Sequence, residues 1–351
     1  MRGRGRCTTA WASRATTGTT TTARRDRREG PRGGLRGAGP GSRPGPGREQ
    51  DEQGRGSDMS GLDSGAAERR RQFAEEARSE RPDLALLCLL LGAEAGPVGP
   101  AEAVPVTPGE PVPDPYGIDA AQIELDRLAG LLPYGSRSPA GWASALAELL
   151  GERCGFGGSS ADYQRLDSSL LQQVLRRRRG LPILLSVVWI EVARRAGAPV
   201  YGVALPGHFV VGFGDREHPV LADPFAGGAP LTGQDAELLV TGATGAALEP
   251  SMMVPARPLE IVLRILNNIR AWAAARPERT DVALWAVELS LLLPSHPARL
   301  RYEHAQLLVQ RGEFLRGAAE MEEYAEILAE IEPTAAENIR RKAHAARALL
   351  N

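Results

Sequence analysis

The stretch from Pro182 to Ala196 constrains this chain more than any other. Ile183, Leu184, Leu185, Val187, Val188, Ile190 and Val192 cover nearly the whole circumference of three helical turns. A surface helix needs only one apolar stripe, so a helix apolar almost all round has to be enclosed by the rest of the fold. Pro182 suits the first helical turn and Gly197 the residue just past a helix end, which sets the limits of this core helix. Three short runs follow, Val200 to Leu205, His208 to Phe213 and Pro219 to Ala222, rich in β-branched and aromatic residues and separated by Pro206-Gly207 and a charged turn. They predict antiparallel strands. A buried helix feeding a small antiparallel sheet defines an α+β domain.

Around this centre the pattern is helical. A charged amphipathic segment, Ala66 to Arg81, ends at Pro82, and Asp83 is placed to N-cap an apolar helix from Leu84 to Leu91. Prolines at 97, 100, 105, 108, 111, 113 and 115 mark residues 96 to 115 as a linker or surface loop. Helical patterning resumes at Ile118 to Leu132 and Ala140 to Leu150. From Pro258 onward, Leu259 to Arg276, Asp281 to Leu293, Ala298 to Arg311, Phe314 to Ile331 and Thr334 to Leu350 read as amphipathic helices broken by Pro277, Pro294, Gly312 and Pro333. Short connections between them predict antiparallel helical hairpins. Arg301 to Pro333 is similar to a tetratricopeptide pair, with a second helix about one turn too long.

At 351 residues, two folded units plus extensions are expected. Residues 66–235 form the first unit and 255–351 the second. Residues 1–58 are a Gly/Arg-rich extension expected to be disordered, because they offer hardly any large apolar residue to offset the entropy of folding. The net charge of −1 hides an asymmetry, since residues 1 to 57 hold 13 Arg against 5 acids. That arm reads as an upstream start ahead of Met59, with a nucleic-acid arm or a transit peptide as alternatives. Lys342 is the only Lys and Ala, Gly and Pro abound, the mark of GC-rich codons and a high-GC bacterium. No apolar stretch approaches membrane-spanning length. Cys7, Cys88 and Cys154 form no CxxC pair, so neither a disulfide framework nor a structural zinc is expected. These features fit a cytoplasmic protein with no cofactor or metal.

The chemistry sits near the core helix. Arg178-Arg179-Gly180-Leu181-Pro182, Leu205-Pro206-Gly207-His208-Phe209 and Asp223-Pro224-Phe225-Ala226-Gly227-Gly228 together resemble the SirB-one family of bacterial transglutaminase-like proteins, whose pattern continues into tetratricopeptide-like helices. The resemblance covers about Ala66 to the C-terminus. It implies a transglutaminase-like (papain-like) domain with a helical N-terminal extension and an all-α C-terminal domain.

In active members of that superfamily a Cys opens the buried helix, a His lies on the next strand and an Asp or Asn on the one after, serving as nucleophile, base and orienter. By similarity His208 and Asp223 hold the second and third places. The first fails, because Gly180-Leu181-Pro182 stands where Gly-x-Cys is usual. Ser186 lies one turn farther along the same helical face, about 6 Å down the axis. Cys154, before a Gly-rich turn, is the other substitute nucleophile. Cys88, on an apolar helix, reads as core. The bland alternative has His208 and Asp223 simply bonding their own turns.

The resemblance implies a regulatory or protein-interaction role, a pseudoenzyme that binds a protein or peptide through its helical repeat, with no membrane or nucleic-acid partner. The alternative is an amide hydrolase or acyl transferase using Ser186 or Cys154 with His208 and Asp223. Arg176 to Arg179 reads as a solvated helix end favoured by the C-terminal dipole. His218, His296, His304 and His344 lack metal-ligand spacing, and Trp189, Trp272 and Trp285 read as core.

Overall fold

The computed structural model describes residues 53–97, 114 and 116–349, and of 53–64 only the helical backbone. Two units are distinguished, residues 1–62 and 63–351. Of the first, only the helical opening of α1 (Gln53–Glu76) is described; the rest of the expected disordered arm, and most of the Pro-rich linker, lie outside the described residues. Helix therefore begins upstream of Ala66 and takes in the last residues of the arm, since propagating a helix costs far less than nucleating one.

In the second unit, Asp83 caps α2 (Leu84–Ala93) by accepting from the Leu86 amide, as its position demands. There follow α3 (Ile118–Gly130) and α4 (Pro139–Leu146), the latter continuing into a π-helical turn over Ala147–Arg153. Two short 3-10 turns, Ser160–Gln164 and Leu166–Ser169, lead to α5 (Leu171–Arg177) and the core helix α6 (Pro182–Arg195). Every residue of α6 from Pro182 to Ala193 is buried, which is the enclosure its composition requires.

The sheet has the order β4-β3-β2-β1-β5, antiparallel throughout, from β1 (Val200–Val203), β2 (Val210–Phe213), β3 (Val220–Asp223), β4 (Ala229–Leu231) and β5 (Pro255–Ala256). β4 and β5 are additions to the three expected strands; each is two or three residues long and contains a Pro, so neither shows alternation in the sequence. Phe209, Val211, Phe213 and Ala222 face the α6 side. Val203, Val210 and Leu221 face the other, where Ala236 and Val240 of α7 (Gly233–Thr244) cover them.

Helices α8 (Pro258–Ala274), α9 (Thr280–Leu292), α10 (Arg299–Gln310), α11 (Phe314–Ala329) and α12 (Pro333–Ala348) complete the chain. α8 and α9 share the main core, which runs from Phe73 to Leu293, whereas α10 to α12 close around a second cluster of mostly small residues, Ala305, Ala318, Ala325, Ala336 and Ala343 among them. Among the described residues no helix is long and apolar enough to cross a membrane.

Candidate functional site

The turn after β1 delivers His208. Gly207 has φ +73°, and a Cβ there would sit 2.5 Å from the Cβ of Ala243, so only glycine both takes the left-handed conformation and clears α7. The His208 amide closes the turn on Leu205 O at 3.2 Å. At the end of β3, Asp223 accepts from the Phe225 amide through Oδ1 at 2.9 Å and meets His208 Nε2 through Oδ2 at 3.0 Å. Both side chains are largely covered, at 12% and 10% exposure, so the pair is shielded from competing water without being sealed. A carboxylate can only accept, so Nε2 carries a hydrogen; Nδ1 has no hydrogen-bond partner among the described residues.

The Asp223 loop is held close. Gly228, at φ +87°, lies where a Cβ would come within 2.9 Å of the Ala147 backbone and 3.3 Å of Trp189 Nε1. The loop thus packs directly on the π-helical turn and α6, which is why two glycines follow Phe225. The Phe225 ring stands edge-on to His208 and to Tyr163, with centroids 6.1 Å apart in both cases.

The Arg176 to Arg179 run departs from a solvated helix end. Arg177 and Arg179 converge on buried Asp162, at 3.6 and 3.1 Å, and Arg178 turns into the left-handed region (φ 58°), pairs with Glu124 at 2.5 Å and stacks over Phe156. Only Arg176 is exposed. Hydrogen bonds from Arg127 and Arg178 pull the Glu124 carboxyl down to about 2 against the effect of burial. Asp162 also makes a capping box with Ser159, so the arginines pin the short turn that presents Tyr163 beside the pair. Tyr163 and Arg264 of α8 are site residues that sequence reasoning missed. Arg264 Nη2 donates to Leu205 O at 2.7 Å and His208 O at 2.8 Å, clamping the turn from outside. Burial raises the Tyr163 phenol, the Asp223 charge adds to this and Arg264 opposes it, which places the phenol within electrostatic reach of both groups.

Neither substitute nucleophile joins the pair. Ser186 Oγ is fully buried and donates to the Phe209 carbonyl at 3.3 Å. Pro182 opens α6 one turn before it, on the same face. Cys154 ends the π-helical turn, its amide on Leu149 O and its thiol in the neighbourhood of Arg127, and it makes no hydrogen bond to His208 among the described residues. Cys88 is core, its thiol pushed up by burial. Trp189 and Trp285 are buried; Trp272 is only partly so and donates to Gln164 O. Contrary to the absence of ligand spacing, His218 lies with Asp215 and Glu217 so that their ligand atoms fall within 4.8 Å, but all three are exposed on the β2–β3 turn, an ordinary charged hairpin.

Residues 119–267 match the transglutaminase-like superfamily, and residues 269–351 match the tetratricopeptide repeat. The protein class is therefore a transglutaminase-like α+β domain joined to helical repeats. Within it the chain is similar to the UPF0162 proteins of several bacteria. It is 34% identical over 163 residues to a UPF0162 protein of Xylella fastidiosa (45% of this chain, 58% of the relative). It is 27% identical over 191 residues to one of Vibrio cholerae (52% and 70%). The human F-box only protein 21 is 26% identical over 165 residues, 45% of this chain and 26% of that protein. The match to the Xylella relative thus takes in little more than half of that protein's length.

Proposed function

We propose that this chain is a non-catalytic relative of the transglutaminase-like enzymes, a regulatory or scaffolding protein that binds polypeptide through its His208–Asp223 cleft and its helical repeat. One observation carries the reading. The imidazole is oriented by Asp223 as a base would be, while the helix start that should face it with a thiol begins with Pro182, and the hydroxyl one turn farther along that face, Ser186, is spent on a backbone carbonyl. Orientation without a nucleophile supports binding of an extended chain but not covalent catalysis. Helical repeats of this kind offer surfaces that take peptide segments.

Incubation of the full chain with a chloroacetamide and a fluorophosphonate probe, followed by intact mass, tests the reading. The expected result is no adduct at Ser186 and only slow, His208-independent alkylation of cysteine. A stoichiometric adduct lost in His208→Ala would establish the second reading, an amide hydrolase or acyl transferase using Ser186 or Cys154 with His208 as base. The free Nδ1 is the feature that favours this alternative.

A further inference from the structure

We propose that the α9–α10 junction is a pH-gated hinge: His304 latches α10 to α9 while its imidazole carries both ring hydrogens, and loss of one lets α10 to α12 swing away from the main core together. The hinge stands apart from the His208 cleft and from whatever that cleft binds.

The seam between the two helices is narrow. Leu284 and Val287 of α9 meet Leu307 and Leu308 of α10 in a small cluster of their own, separate from the main core and from the alanine cluster. Trp285, Ala286 and Leu289 of α9 belong to the main core, and Ala305 of α10 to the alanine cluster. A junction with so few buried apolar side chains opens more readily than either of the bodies it joins. Residues 293–298 connect the helices, and the extended backbone of Leu293 (ψ 141°) puts the bend at an element end, where hinge motion is absorbed. Among the described residues two ion pairs cross from α10 to α12 onto the main core, Arg270 of α8 with Glu303 and Glu288 of α9 with His304. Of these partners only an imidazole ordinarily changes charge near neutral pH.

The geometry of His304 calls for two hydrogens. Nδ1 lies 2.5 Å from Glu320 Oε2 of α11, and Nε2 faces Glu288 Oε1 of α9 at 3.6 Å. A carboxylate can only accept, so each nitrogen needs a hydrogen, and only the imidazolium has two. When one proton leaves, the closer contact keeps the remaining hydrogen on Nδ1, and Nε2 turns a lone pair toward Glu288. The side chain is only 10% exposed and Nε2 has no hydrogen-bond partner, so nothing else compensates on that side. Glu288 keeps Arg70 of α1 at 2.9 Å and stays with the main core, while Glu320 keeps His304 with α11. The break therefore falls between α9 and α10. The two carboxylates, Glu288 first, hold the imidazole above its ordinary value against burial, so the latch is closed below about pH 6.5 and opens as pH climbs through the raised value. The other charged or titratable groups around the ring are His296 from the connection, Arg301 from α10 and Glu323 from α11, which border a cavity of about 310 Å³ beside it and give water a way in.

The test is NMR of the full chain with labelled Leu, Val and Ile methyls and ¹⁵N-labelled histidine, from about pH 5.5 to about pH 8.5, either side of the ordinary histidine value. A soluble gadolinium chelate broadens whichever methyls solvent reaches. The expected result is an imidazolium at His304 at the acid end, and severalfold broadening of Val287, Leu307 and Leu308 as it deprotonates, with the same midpoint. Leu184 of α6 and Ile339 inside the alanine cluster should not change. Glu288→Gln removes one anion and should move the midpoint to lower pH, and His304→Gln should make the seam methyls insensitive to pH. Seam methyls that do not respond to pH, or that respond with a midpoint other than that of His304, overturn the latch. Broadening that reaches Ile339 equally means that the helices unfold, and overturns the hinge. Should His304→Gln not fold, the match of midpoints in the unmodified chain and its displacement in Glu288→Gln decide.

Discussion

The core around α6 and the core of the terminal helices are built on opposite plans. α6 is enclosed by large side chains, Trp189, Leu184, Leu185 and Val188 all fully buried, and it packs with helices and sheet into a single cluster from Phe73 to Leu293. Helices α10 to α12 meet over alanines, with Met321, Tyr324 and Ile339 the larger buried residues. Hydrophobic stabilisation scales with the apolar area removed from water, so the first core holds its shape through burial and the second through closeness of approach and polar links. The His208–Asp223 pair sits on the first of these cores, and local opening should cost less in the second.

The largest test of this contrast is Trp189→Ala, which removes a fully enclosed indole and should cost about 3–5 kcal/mol, read from denaturant unfolding. Ile339→Ala in the second core should cost about 2 kcal/mol, and hydrogen exchange should show α11 and α12 opening below the global unfolding free energy. Equal losses at the two sites, with uniform exchange, would break the comparison. Gly317→Ala comes next. A Cβ there would lie 2.7 Å from Ala305 O and 2.6 Å from Val309 Cγ2, wedging α11 off α10, at a cost of about 1–3 kcal/mol. A neutral result would mean the helices have room to part. Asp223→Asn should be milder, about 1–2 kcal/mol, through the cap on Phe225 and the bond to His208. Its sharper effect is on the imidazole: the Nε2 hydrogen should no longer be fixed, and ¹⁵N shifts of His208 should show mixed tautomers. One unchanged tautomer would mean that something other than Asp223 orients the ring.

How much of this was legible depends on how local each cause is. α6 could be read residue by residue because its burial is written into every position, and the His208–Asp223 pair could be placed because its turns carry their own chemistry, Pro206-Gly207 before the first and Pro224 with two glycines after the second. Tyr163 and Arg264 left no such trace. Tyr163 sits in a 3-10 turn without periodicity, fixed by arginines at the end of α5 and just past it. Arg264 reaches the site only through the docking of α8 on a turn 56 residues earlier. Its one local sign was a charge amid the apolar positions of an amphipathic helix. α7 could have been found, since Thr232 and Asp235 form a capping box visible as Thr-x-x-Asp; the glycines and threonines after it obscured the helix. The arginine run misled because a charge cluster shows its sign but not its partners.

The smallest effect bears on the polar links that tie the two cores together. His304 of α10 lies between acids from both neighbours, Nδ1 at 2.5 Å from Glu320 of α11 and Nε2 facing Glu288 of α9 at 3.6 Å, an ion-pair distance too long for a hydrogen bond. Glu288 in turn meets Arg70 of α1 at 2.9 Å, and Arg70 meets Glu94 at the end of α2. Arg301, His296 and Glu323 border the cavity beside this chain of charges. Glu288 first, and Glu320 with it, hold the imidazole above its ordinary value against the opposing effect of burial. A folded-state value raised above the unfolded one gives a contribution fully present below about pH 6.5, the ordinary histidine value, and lost as pH climbs through the folded value. Glu288 runs the other way. Burial pushes it up, but His304 and Arg70 outweigh burial and leave it lowered, so its contribution is lost on acidification. The link is therefore strongest from about pH 5 to 6.5. In thermal melts of the full chain, the difference between wild type and His304→Gln should be widest there and should shrink at alkaline pH. A difference that stays constant across that range would show that His304 serves by packing alone, and the thin core would then owe its closure to its alanines without help from charge.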